Sequence, residues 1–340
     1  MAINIVTKEN LTIVIVNFRT SSDVIRSLAS LAPSMGKHSE RNVVVVDNFS
    51  EDNSVELINS AVELNGWASW VEVIPWHENC GFSAGNNVAI RAVLSENILC
   101  SYFWLLNPDT MVNDDSCDAL VEFLDSNPDV GIAGSRIFTS EDAIECSAFR
   151  AVTPLSQFVH AASIGYIDRF LPKFVVPIDP EDSPHECDWV SGASMMVRRE
   201  VIDQIGLMDE GYFLYFEEVD FCNTARVAGW GIWHVPQSKI VHVGGVATGK
   251  ENFGSVKPGF WFDSRRRYLL KWFGYRGLIL ADILWFTGYI LLAVKKLLRI
   301  GNKTQKTDLF RCSVEPMFED VRALIPRQIS KKNQRQHYAR

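Results

Sequence analysis

Residues 12–47 read TIVIVNFRTSSDVIRSLASLAPSMGKHSERNVVVVD. Two unbroken β-branched runs, 12–18 and 43–47, flank a stretch with Ser and Asp start signals that predicts a helix over 21–31. A strand that is apolar on both faces has no solvent side, so it belongs in a mostly parallel sheet covered by helices. The alternation continues outward. Strands are expected over 70–75, 102–107 and 130–134, with helices over 51–65, 83–94 and 115–124. Residues 150–187 break the rhythm with Pro154, Pro172, Pro177, Pro180 and Pro184, and read as a long loop over a site. Regular structure resumes with a strand over 192–197, helices from 199 and over 218–228, and two short strands, 232–235 and 239–243.

The 340 residues are 47% hydrophobic, enough for one large core or a core with an appendage. The net charge of −8 hides an asymmetry: residues 1–257 carry 16 Lys and Arg against 35 Asp and Glu, and residues 258–340 carry 17 against 6. An acidic body with a basic, apolar tail argues against a nucleic-acid binder and for docking on an anionic membrane surface. Residues 277–294 hold one charge, Asp282, and are bracketed by Arg276 and Lys295. Eighteen residues fit a buried helix, a helix lying on the membrane, or a short span. Seven scattered cysteines without CxxC spacing fit a reducing cytosol and argue against a zinc site. The first apolar run is too short for a signal peptide and has no basic start.

In open α/β sheets, ligands sit beyond the carboxyl ends of the strands. Here those ends offer Asn17 with Arg19, Asp47 with Asn48, Asn79 with Gly81, and Asn107 with Asp109. Asp47 can accept from a pyrimidine imide N–H, or can simply cap a turn. In CGFSAGNN, Gly81 and Gly85 let a backbone approach a ligand and Asn86 adds an amide, although the small residues also suit tight helix packing. A nicotinamide-binding unit is excluded, because the first βα turn holds no glycine and no GxGxxG follows a strand. Asp109 suits a hard divalent ion. His242, ending the run KIVHV, is either a further ligand tolerant of Mn²⁺ or a core histidine. Glu217, Glu218 and Asp220 crowd into four positions among aromatic residues. Such a cluster either opens a solvated helix or holds a carboxylate with a raised pKa, suited to base chemistry.

The ordered set TIVIVNF, VVVVDNFSEDNS, NCGFSAGNN, LLNPDT, VSGASMMVRREVIDQIGLMDEGYFLYFEEVDFC and KIVHVGG resembles the family 2 inverting glycosyltransferases of GT-A fold, most closely their bacterial rhamnosyltransferase-like branch, over about residues 10–275. The resemblance implies a nucleotide-sugar donor, Mg²⁺ or Mn²⁺, and transfer to a hydroxyl of a glycan or lipid-linked acceptor. It places base recognition at Asp47, the metal at Asp109 and His242, and the catalytic base at Glu218, with Asp220 and Glu217 as neighbours. Asn17, Arg19, Asn48, Asn79, Gly81, Asn86 and Asn107 complete the donor site. Two departures stand out. Asn107 occupies the place of the first acid of the DxD motif, and the base is Glu where Asp is commoner.

The expected architecture is a GT-A catalytic domain over 1–257, Rossmann-like with helices on both faces, divided into a nucleotide-sugar half (about 10–135) and an acceptor half (136–257). A C-terminal helical extension over 258–300 makes a membrane or homodimer contact, and a basic, partly disordered tail spans 301–340. The expected location is the cytoplasmic face of the membrane. A silent glycan-binding scaffold and a nucleotidyltransferase remain as alternatives; the paired acids argue against the first and the missing basic Gly-rich loop against the second.

Overall fold

The computed structural model describes residues 10–96, 100–243, 257–298 and 320, except the side chain of Lys296. Strands β1 (Leu11–Asn17), β2 (Arg41–Asp47), β3 (Val71–Pro75) and β4 (Tyr102–Leu106) alternate with helices α1 (Ser21–Lys37), α2 (Ser54–Leu64) and α3 (Phe82–Ser95). The chain continues through β5 (Thr110–Val112), α4 (Ser116–Ser126), β6 (Val130–Phe138), β7 (Ile144–Glu145) and β8 (Ala148–Phe149). Next come α5 (Pro154–Ala162), α6 (Gly165–Phe170), β9 (His185–Glu186), β10 (Trp189–Val190) and β11 (Ser194–Arg198). The last elements are α7 (Arg199–Ile205), α8 (Glu217–Val227), β12 (Gly231–His242) and α9 (Gly259–Leu297), which is broken at Gly274.

The main sheet runs β3-β2-β1-β4-β11-β6-β12-β5. All seven residues of β1 and all five of β4 are buried, as unbroken apolar runs in a covered sheet require. Strands β1 to β4 are mutually parallel, and β12 is parallel to β6. β11 slots between β4 and β6 antiparallel to both. One core joins α1, α2 and α4 to one face of the sheet, and a second joins α3, α7 and α8 to the other.

The proline-rich stretch is more regular than expected. Pro154 occupies the first turn of α5, where a missing N–H is harmless, and Thr153 forms a capping box with Ser156. The two strands expected near 232 and 239 are one strand, β12, with a register shift between Val235 and Lys239. The extension beyond 258 is not a separate appendage: Tyr268, Leu269, Leu278 and Ala281 of α9 share a third core with Tyr212, Phe216 and Val219.

Four of its basic residues are each held by an acid of the same chain, Arg265 and Arg266 largely buried and Arg267 and Lys271 partly exposed. Arg265 pairs with Asp282 (2.8 Å), Arg266 with Asp263 (2.7 Å) and Asp320, Arg267 with Asp209 (2.7 Å) and Lys271 with Asp220 (2.7 Å). Beyond the break at Gly274, α9 also exposes an apolar stripe, Ile279, Leu280, Ile283, Ile290 and Val294, while Arg267, Lys271 and Arg276 are exposed nearer its start. Asp320, buried and helical, is the described residue of the 301–340 tail. The disorder expected there, Arg299, and the two glycines closing KIVHVGG lie outside the described residues.

Candidate active site

The parallel register sets Asn17 beside Asp47, so the ends of β1 and β2 present their polar residues together. Asn17 donates to Asp47 Oδ1 at 2.6 Å, Ser50 Oγ donates to the same oxygen at 2.6 Å, and Ser50 N donates to Oδ2 at 3.1 Å. Asn48 donates to Asn79 Oδ1 (3.0 Å) and to the Gly81 carbonyl (3.1 Å). Asn17, Asp47, Asn48, Asn79 and Gly81 therefore form one wired edge across three strand ends. Arg19 joins through its backbone, which donates to Ser50 Oγ, while its guanidinium gives Nε to the Ser50 carbonyl and is otherwise half exposed near Glu51. Arg19, Phe49 and Glu51 all have left-handed φ, so this edge is held in a conformation side chains rarely adopt. Ser50 is the hub, and the sequence reading missed it; its signal was the three-residue spacing from Asp47, typical of an Asp-anchored turn.

The glycines of CGFSAGNN divide between the two readings. A Cβ on Gly85 would lie 2.7 Å from Val16 Cγ1, so that glycine serves helix packing. Gly81 has φ +92°, and a Cβ there would come within 2.1 Å of the Phe213 carbonyl oxygen, which accepts from Phe82 N at 2.8 Å. This close approach joins the start of α3 to the loop before α8. Asn86 donates to the Phe82 carbonyl, while its Oδ1 is buried without a partner among the described residues.

Asp109, buried at the tip after β4, lies 3.2 Å from His242 Nε2 at the end of β12. Asn107 Nδ2 is 3.4 Å from the same nitrogen, and Glu145 Oε2 is 3.5 Å from Nδ1. Burial alone would lower the His242 pKa, but hydrogen bonds and charge from Asp109 and Glu145 outweigh it and raise it to about 9. The pair fits a small divalent ion: two ligands at about 2.1 Å and at right angles lie about 3.0 Å apart. Glu145 would then orient the imidazole through its other nitrogen. Among the described residues no third acid, histidine or cysteine completes a cluster, so such an ion would take its remaining ligands from phosphate and water. Nothing local in the sequence marks Glu145.

The acidic cluster resolves by helical geometry. Tyr215 and Phe216 both have left-handed φ (71° and 68°) immediately before α8. Each such bulky residue costs roughly 1–3 kcal/mol, a strain typical of functional turns. Glu217 is buried, and Glu218 is half-buried beside Gly192 and Phe82. The Oε2 atoms of both are shielded from solvent and lack a hydrogen-bond partner among the described residues. Desolvation raises both pKa values, Glu218 to about 7, against the pull of the first-turn N–H groups; for Glu217 the Glu218 charge adds to the rise. Asp220 differs. Two residues from Glu218, it turns about 200° round the helix and accepts from Lys271 Nζ and Trp272 Nε1, both at 2.7 Å. Its place is the α8–α9 contact, not beside the Glu218 carboxylate. The aromatic run also serves that contact: Phe213 and Tyr215 meet Phe260, and Phe216 meets Trp261 and Tyr268.

A family model described as Glycosyl transferase family 2 matches residues 12–206. The chain belongs to that family. It is a glycosyltransferase whose sequence relatives include rhamnosyltransferases. It is 26% identical over 254 residues to the N-acetylglucosaminyl-diphospho-decaprenol L-rhamnosyltransferase of Mycobacterium tuberculosis, covering 71% of this chain and 78% of that one. It is 31% identical over 220 residues to the low-salt glycan biosynthesis hexosyltransferase Agl10 of Haloferax volcanii (64% and 62%). It is 26% identical over 165 residues to the rhamnosyltransferase WbbL of Escherichia coli (48% and 60%). Among solved structures, GalNAc-T7 with UDP, GalNAc and Mn²⁺ superposes with a TM-score of 0.55 at 13% identity, over 94% of this chain and 58% of that one. TarS 1-349 of S. aureus superposes at 0.52 and 12%, over 92% and 81%. The fold of this family 2 member is GT-A, mostly parallel with helices on both faces and a long C-terminal helix.

Proposed function

We propose that the protein moves L-rhamnose, with inversion, from a nucleoside diphosphate-sugar to a hydroxyl of a lipid-linked or glycan acceptor. The observation that carries the reading is Glu218, a carboxylate with one oxygen buried and unpartnered, placed by a strained turn and poised to ionise near neutral pH. The acceptor oxygen attacks the anomeric carbon, its proton passes to Glu218, and the bond from that carbon to the diphosphate oxygen breaks on the opposite face. General-base assistance of this kind contributes roughly 10²–10⁴-fold. Asp47 and the wired strand ends hold the nucleoside. Asp109 and His242 would hold Mg²⁺ or Mn²⁺, which supplies charge neutralisation for the leaving diphosphate. Burial and the Glu218 charge push the Glu217 pKa upward, which opposes a second negative charge beside the base.

The rhamnose assignment is supported by the names of two relatives. Docking on a membrane is supported by the exposed apolar stripe of α9. That helix is long and apolar enough to span a bilayer, but its other face packs on α5, where a Cβ on Gly288 would lie 2.8 Å from Ala161 Cβ. A helix tied down in this way fits one lying on the surface better than one crossing it. A homodimer burying the same stripe is the rival outcome. The test is transfer from a panel of nucleotide-sugars to a lipid-diphosphate acceptor, with the product anomer read by NMR. Transfer from dTDP-L-rhamnose with inversion is expected; retention of configuration would remove Glu218 from its role.

A further inference from the structure

A cavity of about 600 Å³ lies between the loop preceding α8 and the first half of α9. Phe213, in its wall, belongs to the loop that meets Phe82 in the donor half and runs on into Glu217 and Glu218. Arg267 and Lys271 line it together with the apolar side chains of Phe213, Phe260 and Leu270. With Arg266, Asp209 and Asp263 included, cations outnumber carboxylates three to two.

Arg267 and Lys271 are anchored without being saturated. Arg267 holds Asp209 through Nε at 2.9 Å and Nη2 at 2.7 Å, which leaves Nη1 outside the pair, and its side chain is 46% exposed. Lys271 has three N–H donors, gives one to Asp220, and is 40% exposed. The two stand one helical turn apart on the same side of α9, with about 5–6 Å between their Cβ atoms. That spacing suits two linked phosphoryl groups better than one. Holding each cation on a carboxylate fixes its head group before a ligand arrives, which lowers the ordering cost of binding. Just beyond Lys271 the surface turns apolar, with Phe273 and Tyr275 exposed, and past the break at Gly274 Ile279, Leu280 and Ile283 follow.

We infer that this cavity is the acceptor's anion subsite: Arg267 and Lys271 bind the diphosphate of an amphiphilic acceptor, and its hydrocarbon chain leaves past Leu270 along the apolar surface of α9. The inference rests on the transferase reading. It adds to that reading a location, a ligand class and two residues that the base and donor chemistry do not use.

The experiment is calorimetry on the full chain with geranyl diphosphate as probe, in EDTA so that no metal-bridged binding at Asp109 contributes. The wild type should bind. Arg267→Gln should weaken binding by at least about tenfold, the share of one charge-assisted hydrogen bond, and Arg267→Lys should restore part of it. Mn²⁺-dependent binding of a nucleoside diphosphate, measured in parallel, should be the same in all three proteins and reports an intact fold. Inorganic diphosphate should bind more weakly than geranyl diphosphate, and phosphatidylglycerol vesicles should not displace the probe. Wild-type affinity in Arg267→Gln overturns the subsite. Equal affinity for inorganic diphosphate overturns the amphiphile, and displacement by vesicles makes the cavity a general headgroup site. If the wild type binds geranyl diphosphate but no nucleoside diphosphate, the transferase reading fails while the subsite stands.

Discussion

The wired strand ends and the start of α8 treat their buried carboxylates in opposite ways. At the strand ends, Asp47 accepts three hydrogen bonds and Asn48 donates two, so this edge is organised before any ligand arrives. At the start of α8, two carboxylates lie together with an oxygen each left unpartnered, behind two left-handed aromatic residues. A carboxylate satisfied as Asp47 is adds to stability, although the turn around it carries three left-handed residues, Arg19, Phe49 and Glu51, and Asn48 Oδ1 is buried without a partner among the described residues. The arrangement at α8 is costly, since an unsatisfied buried polar group costs about 1–3 kcal/mol. The difference indicates where chemistry is asked of the protein: recognition can be built from satisfied groups, but a base must keep a lone pair free.

Glu218→Gln tests that contrast most severely. It should lower kcat roughly 10²–10⁴-fold and leave donor binding nearly unchanged. The same change should not destabilise the protein at pH 8. A carboxyl whose folded pKa lies near 7, above its unfolded value near 4.5, contributes stability that is full below pH 4.5 and is lost as pH rises through 7. Gln escapes that loss, so thermal melting at pH 8 should match or exceed wild type; a marked fall would place Glu218 among structural carboxylates.

Asp109→Ala should abolish Mn²⁺-dependent nucleoside diphosphate binding. Glu145→Ala should weaken Mn²⁺ affinity by roughly 10–100-fold through loss of His242 orientation. Unchanged metal titrations in both variants would leave Asp109 and His242 as a plain ion pair. On the pH axis, kcat should rise along a limb with an apparent pKa near 7 as Glu218 ionises, and a flat profile from pH 6 to 8.5 would point to another base. The smallest effect belongs to the strand-end edge. Asp47→Ala should lower stability by about 1–3 kcal/mol, because it strands Asn17 and Ser50, and should weaken nucleoside binding with metal dependence unchanged.

The sheet was legible because β1, β2 and β4 are buried on both faces, and these strands and the edge strand β3 fall within about two residues of their apolar runs. The antiparallel insertion of β11 between β4 and β6 was not, since nothing in SMMVR states which strands it will join. The prolines of 150–187 suggested a loop because proline breaks helices, yet Pro154 begins one. The partners of the basic extension were hidden for a similar reason. Nothing in the sequence pairs Arg265, Arg266, Arg267 and Lys271 with the acids that hold them, among them Asp209, Asp220, Asp282 and Asp320, which lie up to 58 positions away. Helical arithmetic, by contrast, could have separated Asp220 from Glu218 at the outset, because residues two apart face opposite ways.

The left-handed pair at Tyr215 and Phe216 bears on how this enzyme would respond to laboratory selection. A library screened for heat resistance alone should be enriched in Gly or Asn at Tyr215, because those residues adopt this conformation without strain. The winners would give up the ring that stacks on Phe260 and the rigidity with which the turn presents Glu218. Stability and turnover would then improve along different branches of the same experiment, and a screen demanding both should return Tyr215 untouched.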